Sequence, residues 1–322
     1  MGYSVKLTHR HSFTINPLPP YNFELTVHKP AGWPLFTPYE VYENDTLWTA
    51  LHLDGLLTGV KLTSKGSTDH PEVLAEVFLR RAPSARQKAQ IKRLLVSKLG
   101  ADVDLSDFYD LARKDPVLRH TVSDLHGLHR TGFSSLFAAA TLAISLQMAP
   151  IKRSNEMQGC LIERYGEVAL FDGREIPVWP TAGSIVGLKA QELALSCKWG
   201  YRARFLVELA RALQDQHSPT LEGLARLSPD EAKKKLLGLP GIGDYSADII
   251  NPHGGFSIDV WSADIFGKLF FGAEAETGRT EIERIKAEGV RRWGNWASLA
   301  FLYVVHDLPN LSRQLRMSLR LS

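Results

Sequence analysis

The sequence predicts an α+β protein, with a small N-terminal antiparallel sheet followed by a mainly α-helical body. Two textures predict it. Residues 1 to about 104 carry short β-rich runs broken by turn-forming clusters, whereas from Asp104 onward apolar residues recur at three- and four-residue spacing. A chain of 322 residues has room for two or three packed segments. We therefore place a β-rich domain with one or two helices at 1–104 and a helical domain at 105–322.

In the first part, Tyr21–His28 and Thr46–Leu53 are the β-rich runs. Pro17-Leu18-Pro19-Pro20, Pro30-Ala31-Gly32-Trp33-Pro34 and Thr63–Thr68 are the turn clusters. Phe23-Glu24-Leu25-Thr26-Val27-His28 alternates apolar and polar residues, the pattern of a half-buried antiparallel strand. One amphipathic helix, from about Ser84 to Leu99, closes the segment. The helical body is expected at Leu105–Leu111, Phe133–Met148, Ile151–Tyr165, Gly183–Leu195, Arg202–Leu213, Glu231–Leu237 and Trp293–Val305. Ser228-Pro229-Asp230-Glu231 reads as a capping box with proline at the first helical position, and Gly238 stands where a helix C-terminus favours positive φ.

Composition narrows the function classes. The chain is 44% hydrophobic and 23% charged, with net charge +3 and pI near 8.7, a mild bias toward polyanions. Two separated cysteines cannot build an iron–sulfur cluster or a zinc ribbon and do not suggest a disulfide framework. Cys160 and Cys197, both in apolar helical settings, read as buried structural thiols. Met1–Pro20 lacks the continuous apolar core of a secretory signal. The most apolar stretch, Phe133–Met148, is too short and too polar to span a bilayer and reads as a core helix. These features predict a soluble intracellular protein with no membrane partner.

The most informative stretch is Leu237-Gly238-Leu239-Pro240-Gly241-Ile242-Gly243-Asp244-Tyr245-Ser246-Ala247. One helix ends at Gly238, a tight turn follows, and a second helix starts at about Asp244. Gly241 and Gly243 leave the backbone bare, so a phosphate can approach the N–H groups at Asp244 to Ser246. Backbone carbonyls of Leu237, Leu239 and Ile242 are candidates to hold a monovalent cation, Na+ or K+, against that phosphate; no cofactor is otherwise required. Such a hairpin grips a nucleic-acid backbone without reading sequence. The plainer alternative is a helix-to-helix turn with no ligand. Downstream lies Gly254-Gly255-Phe256-Ser257-Ile258-Asp259-Val260-Trp261, with Asp259 at the start of a further amphipathic helix. An N-cap is the plain role for such an aspartate.

Hairpin, Gly/Pro-rich loop and aspartate in this order resemble the helix-hairpin-helix (HhH-GPD) DNA glycosylase superfamily, in the branch that contains 3-methyladenine DNA glycosylase II and 8-oxoguanine DNA glycosylases. Asp104-Leu105-Ser106-Asp107-Phe108-Tyr109, Gly200-Tyr201-Arg202-Ala203-Arg204-Phe205 and Trp293-Gly294-Asn295-Trp296-Ala297 carry further resemblance, so that it covers nearly the whole chain. The hairpin is then 231–250. One departure stands out: Tyr245 and Asp259 are only 14 residues apart, and Asn251–Gly255 truncates the second hairpin helix. Asp264 is an alternative carboxylate at more usual spacing.

The resemblance implies base flipping on double-stranded DNA that contains a damaged base, by a monomeric enzyme of base-excision repair. It implies Asp259 as the carboxylate that stabilises an oxocarbenium-like transition state. Lyase relatives carry a Schiff-base lysine where this chain has Tyr245, and tyrosine cannot form an imine. A monofunctional glycosylase for alkylated or deaminated purines, such as methyladenine or hypoxanthine, is the reading that follows. Tyr245, Trp261 and Tyr303 could line an aromatic base pocket or be ordinary core, and His306 could reach that pocket or lie on the surface. Met148 is the implied wedge in the gap left by the flipped base, or a plain core methionine. Arg202 is implied at the estranged base, or at a phosphate. Lys233, Lys234 and Lys235 read as a solvated or phosphate-facing run. Two alternatives remain: an 8-oxoguanine glycosylase, and a non-catalytic hairpin DNA-binding protein.

Overall fold

The N-terminal sheet grows from strand alternation that puts one face in the core. The computed structural model describes residues 4–28, 39–53, 55–272 and 278–319. Strands β1 (Ser4–Lys6), β2 (His9–Ile15), β3 (Val41–Glu43), β4 (Thr46–Leu53), β5 (Leu56–Ser64) and β6 (Val73–Leu79) precede helix α2 (Ala85–Leu99). A five-stranded antiparallel sheet runs β2-β6-β5-β4-β3, in a register that aligns Leu47 with Leu62 and Leu62 with Ala75. Ile15, Leu47, Leu62, Ala75 and Val77 on one face bury against Ile91 and Leu95 of α2. Ser84 and Gln87 cap α2 reciprocally, and Gly100 closes it in the left-handed region at φ 61°.

Phe23–His28, expected as a strand, is the short helix α1. Its buried residues Phe23, Thr26 and Val27 fall at i, i+3 and i+4, and Asn22 Oδ1 accepts the Leu25 N–H at 3.0 Å at its start. Six residues of this pattern fit both periods, and the cap decides. The turn cluster at 30–34 lies outside the described residues.

The helical body holds α3 (Ser106–Lys114), α4 (Leu136–Leu146), α5 (Ile151–Tyr165), α6 (Ala182–Ile185), α7 (Ala190–Ser196), α8 (Arg202–Ala212), α9 (Leu221–Ala225), α10 (Pro229–Leu237), α11 (Asp244–Ile250), α12 (Val260–Phe271), α13 (Arg279–Trp293), α14 (Ala297–His306) and α15 (Leu308–Leu315). The single helix expected at Gly183–Leu195 is two, α6 and α7. A hairpin of β7 (Val168–Phe171) and β8 (Arg174–Pro177) interrupts the helices, and β1 pairs parallel with β7 in a three-stranded sheet. That sheet crosses the boundary expected at 104. Among the described residues, no helix is long and apolar enough to cross a membrane.

The helices pack around two separate cores. One collects Phe137 and Ile144 of α4, Leu161 of α5, Leu206 of α8, Leu236 of α10 and Ala247 of α11 around Trp199. The other collects Phe108 of α3, Phe266 of α12, Ile285 and Trp293 of α13 and Tyr303 of α14. The Trp293 indole donates to Asp115 Oδ2 at 3.0 Å inside it.

Cys160 and Cys197 are not free thiols: they form a disulfide, with S–S 2.13 Å. α5 runs beside the end of α7 and brings the two Cα atoms to 5.3 Å, a separation that sequence distance alone does not reveal. The bridge closes a 37-residue separation, for which chain entropy gives roughly 3 to 4 kcal/mol of stabilisation. Unfolding in denaturant without reductant should therefore expose no titratable thiol, and Cys160→Ser with Cys197→Ser should lower the unfolding free energy by several kcal/mol. Two reactive thiols, or an unchanged urea midpoint, would refute the bridge.

Candidate active site

The hairpin begins with a strong local signal. Ser228 and Glu231 form the capping box of α10, with Pro229 in its first turn. The turn that follows has its left-handed residue at Gly241 (φ 75°), not at Gly238, which is helical at φ −78°. A Cβ on Gly241 would also lie 2.5 Å from Cβ of Phe205, so both conformation and space demand glycine there. Among the described residues nothing lies within 4 Å of such a Cβ on Gly243, and Gly243, the N-cap of α11, has no side chain to cap its first N–H groups. Leu239 O accepts the Ile242 N–H at 3.2 Å. Among the described residues, no group of three or more His, Cys, Asp or Glu could hold a metal.

Charge pairs lock the hairpin. Lys233 Nζ on α10 contacts Asp248 at 2.8 Å and Asp244 at 3.3 Å on α11, so it staples the two helices and is not a solvated charge. Lys286 of α13 reaches the other Asp248 oxygen at 2.7 Å, which ties the hairpin to the second core. Asp248 is buried between these two ammonium groups, and losing either would leave its buried carboxylate with one cationic partner.

The turn between α4 and α5 presents Met148, 80% exposed and held at φ 47°, a conformation costly for a non-glycine residue. Its neighbour Gln147 explains how it is held. Gln147 Nε2 donates to Gly241 O at 2.7 Å and Ser246 Oγ at 2.8 Å, stitching the turn to the hairpin. The Arg202 guanidinium donates to Gln147 O through both Nε and Nη2 and stacks on the Tyr201 ring. Arg202 and Ser246, expected to touch DNA, thus have buried side chains turned inward. Asp244 is exposed, and Met148 stands clear of the core.

Tyr245 and Asp259 come together. The Tyr245 hydroxyl donates to Asp259 Oδ2 at 3.1 Å. Burial first, and then the Asp259 charge, push the Tyr245 phenol far above its ordinary range. Asp259 Oδ1 accepts the Ser262 N–H and the Ser262 hydroxyl, each at 2.8 Å, while Ser262 Oγ accepts the Asp259 N–H at 2.9 Å. Asp259 is therefore the N-cap of α12, its charge set against the positive end of that helix. The cap fixes one oxygen and turns the other toward Tyr245.

Other expected residues lie elsewhere. Tyr303 is fully buried, its hydroxyl 3.1 Å from Tyr109 Oη and donating to Leu128 O at 3.1 Å, and serves as core. His306 is buried at the end of α14, not on the surface. The Trp261 side chain lies outside the described residues. Asp264 sits within α12, paired with Lys268 at 2.8 Å.

Arg130 escaped the sequence reading. Its guanidinium gathers the carbonyls of Ile249, Asn251 and Pro252 at 3.4 Å each, at the negative end of α11. Burial pushes it down to about 10. It holds the short connection from the hairpin to Asp259, where Asn251 Nδ2 also donates to Pro229 O at 3.1 Å.

No family model matches the chain. It is 23% identical to the DNA-3-methyladenine glycosylase of Bacillus subtilis, over 51% of this chain and 54% of that protein, and so spans about half the length of that relative. It is 25% identical to a probable N-glycosylase/DNA lyase of Methanothermobacter thermautotrophicus, over 62% of this chain and 69% of that protein. Among solved structures, the Archaeoglobus fulgidus 3-methyladenine DNA-glycosylase superposes with TM-score 0.70 at 20% identity, covering 91% of this chain and 98% of that one. The Clostridium acetobutylicum 8-oxoguanine glycosylase/lyase in complex with double-stranded DNA superposes with TM-score 0.69 at 15% identity, covering 97% and 99%. These neighbours are consistent with the helix-hairpin-helix DNA glycosylase superfamily, and the fold is the one they share.

Gln147→Ala would leave Ser246 Oγ and Gly241 O without this donor. The expected loss is about 1 to 3 kcal/mol of unfolding free energy. Urea denaturation measures it, and an unchanged midpoint would show that the turn and hairpin are not joined.

Proposed function

We propose that this protein is a monofunctional DNA N-glycosylase that removes damaged purines from duplex DNA in base-excision repair, with alkylated bases such as methyladenine as its preferred class and deaminated bases such as hypoxanthine as a second. One observation carries the reading: a tyrosine hydroxyl donates to a helix-capping aspartate at the point where the hairpin meets the second core. The named neighbours support glycosylase chemistry on DNA at the level of class.

Asp259 carries the chemistry. The bond from C1′ to the base nitrogen breaks, and the base leaves with the electron pair. The carboxylate stabilises the positive charge left on the sugar, and a water adds to C1′ and loses its proton. A purine alkylated on a ring nitrogen is cationic and departs as a neutral base, so it needs no acid to protonate it; hypoxanthine departs as its anion and takes a proton from water. Tyr245 fixes Asp259 and offers an aromatic face that attracts a cationic base. It cannot form a Schiff base, so the product is an abasic site in an intact strand.

Gly243 and the first N–H groups of α11 take a backbone phosphate, and Met148 enters the stack beside the extruded nucleotide. The carbonyls of Leu237, Leu239 and Ile242 are neutral hard donors of the kind that suits Na+ or K+, and Leu239 O keeps a second lone pair after accepting from Ile242. A cation there would add positive charge at the phosphate. The protein acts as a monomer.

Duplex oligonucleotides bearing single lesions test the proposal: methylated adenine, hypoxanthine, uracil and 8-oxoguanine. Wild-type protein should release methylated adenine or hypoxanthine and give strand breaks only after alkali. Asp259→Asn should lower the single-turnover rate at least about a hundredfold. Breaks without alkali, or a covalent complex trapped by borohydride, would overturn the monofunctional reading. Release of 8-oxoguanine alone would overturn the substrate class.

A further inference from the structure

The chain's positive charge is concentrated far from the hairpin in sequence. Between Glu76 and Asp102 there are seven Lys and Arg residues and no acid, while the chain as a whole carries only +3, leaving −4 for the rest. Arg80, Arg81, Arg86, Lys88 and Lys92 are exposed, and among the described residues none has a carboxylate within 4.0 Å. Several cations on other helices pair with an acid of their own helix: Arg204 with Glu208, Arg226 with Glu222, and Arg291 with Glu288. The first turn of α2 has no acid and carries Arg86, with Lys88 just beyond it. Cations at the positive end of a helix are unfavourable, and a bound polyanion offsets that cost.

The fold sets the end of β6 and the start of α2 beside β2. The register that pairs His9 with Leu79 sets His9 at the strand end next to Arg80. The Lys88 charge acts on His11 of β2, and Lys92 Nζ lies 5.8 Å from the Phe13 ring centroid. Phe13 in turn stacks at a tilt on His11, 5.8 Å between centroids. The strip is anchored next to the DNA-proposed half of the molecule, because Arg93 of α2 contacts Glu222 of α9 at 3.5 Å. α9 runs directly into α10, the first helix of the hairpin.

We infer that the face formed by the start of α2 and the end of β6 is a second nucleic-acid contact, which takes the phosphates of a duplex arm flanking the segment held by the hairpin. It reads no sequence. Its charges act by releasing counterions, so each neutralised phosphate steepens the salt dependence of binding. This inference rests on the DNA reading given above.

The test uses full-length protein and lesion-free duplexes of about 12 and about 30 base pairs, titrated over a range of salt. The variant is Arg86→Gln, Lys88→Gln, Lys92→Gln. A control of equal net charge is Arg226→Gln, Arg284→Gln, Arg291→Gln. On the long duplex the first variant should bind at least about tenfold more weakly at low salt, with a slope shallower by about 2 to 3. On the short duplex it should match wild type, and the control should match wild type on both. Equal loss on both lengths, equal loss in the control, or wild-type binding of the long duplex would each overturn the second contact. Wild-type protein that binds neither duplex would overturn the DNA reading itself.

Discussion

The hydrogen bond from Tyr245 to Asp259 links two hydrophobic cores that otherwise have separate helices. Tyr245 rides on α11, whose Ala247 and Ile250 pack into the core around Trp199. Asp259 opens α12, whose Ile265 and Phe266 pack into the core around Trp293. A carboxylate at such a junction is costly unless each oxygen has a donor. Ser262 supplies two donors to Oδ1, and Tyr245 supplies one to Oδ2. The structural N-cap and the proposed chemical role are thus one arrangement: the cap aims the carboxylate, and helix α12 stabilises its charge.

Supports converge on the hairpin from three directions. Phe205 fills the space beneath Gly241, Gln147 bonds the same turn from the α4–α5 side, and Lys286 reaches Asp248 from α13. The short connection to Asp259 is fixed by Arg130 and Asn251. Rigidity of this kind suits a site that must hold a carboxylate within a fraction of an ångström of a reacting sugar. It also explains the strained Met148: its backbone is held by Arg202 through Gln147 O, while its side chain stays outside.

The hairpin was legible because its residues are local: the Ser228 capping box, Gly241 and the start of α11 at Asp244 are all set within a few positions. Long-range facts were not. The sequence placed Arg202 on a surface because an arginine alone gives no sign that a backbone carbonyl, 55 residues earlier, will meet it. The cysteine pair depends on how α5 lies against α7, and Arg130 on where the chain turns after α11. The β7–β8 hairpin carried a readable signal that went unused: Asp172-Gly173 between β-forming runs, with both residues at positive φ. Phe23–His28 was ambiguous because six residues satisfy two periods at once.

Tyr245 orients Asp259 and is more than a packing ring. Tyr245→Phe keeps the ring and removes only the donor, so single-turnover base release at saturating protein, measured beside DNA affinity, isolates it. The rate of release should fall about ten- to a hundredfold with affinity unchanged. A wild-type rate in Tyr245→Phe would contradict it.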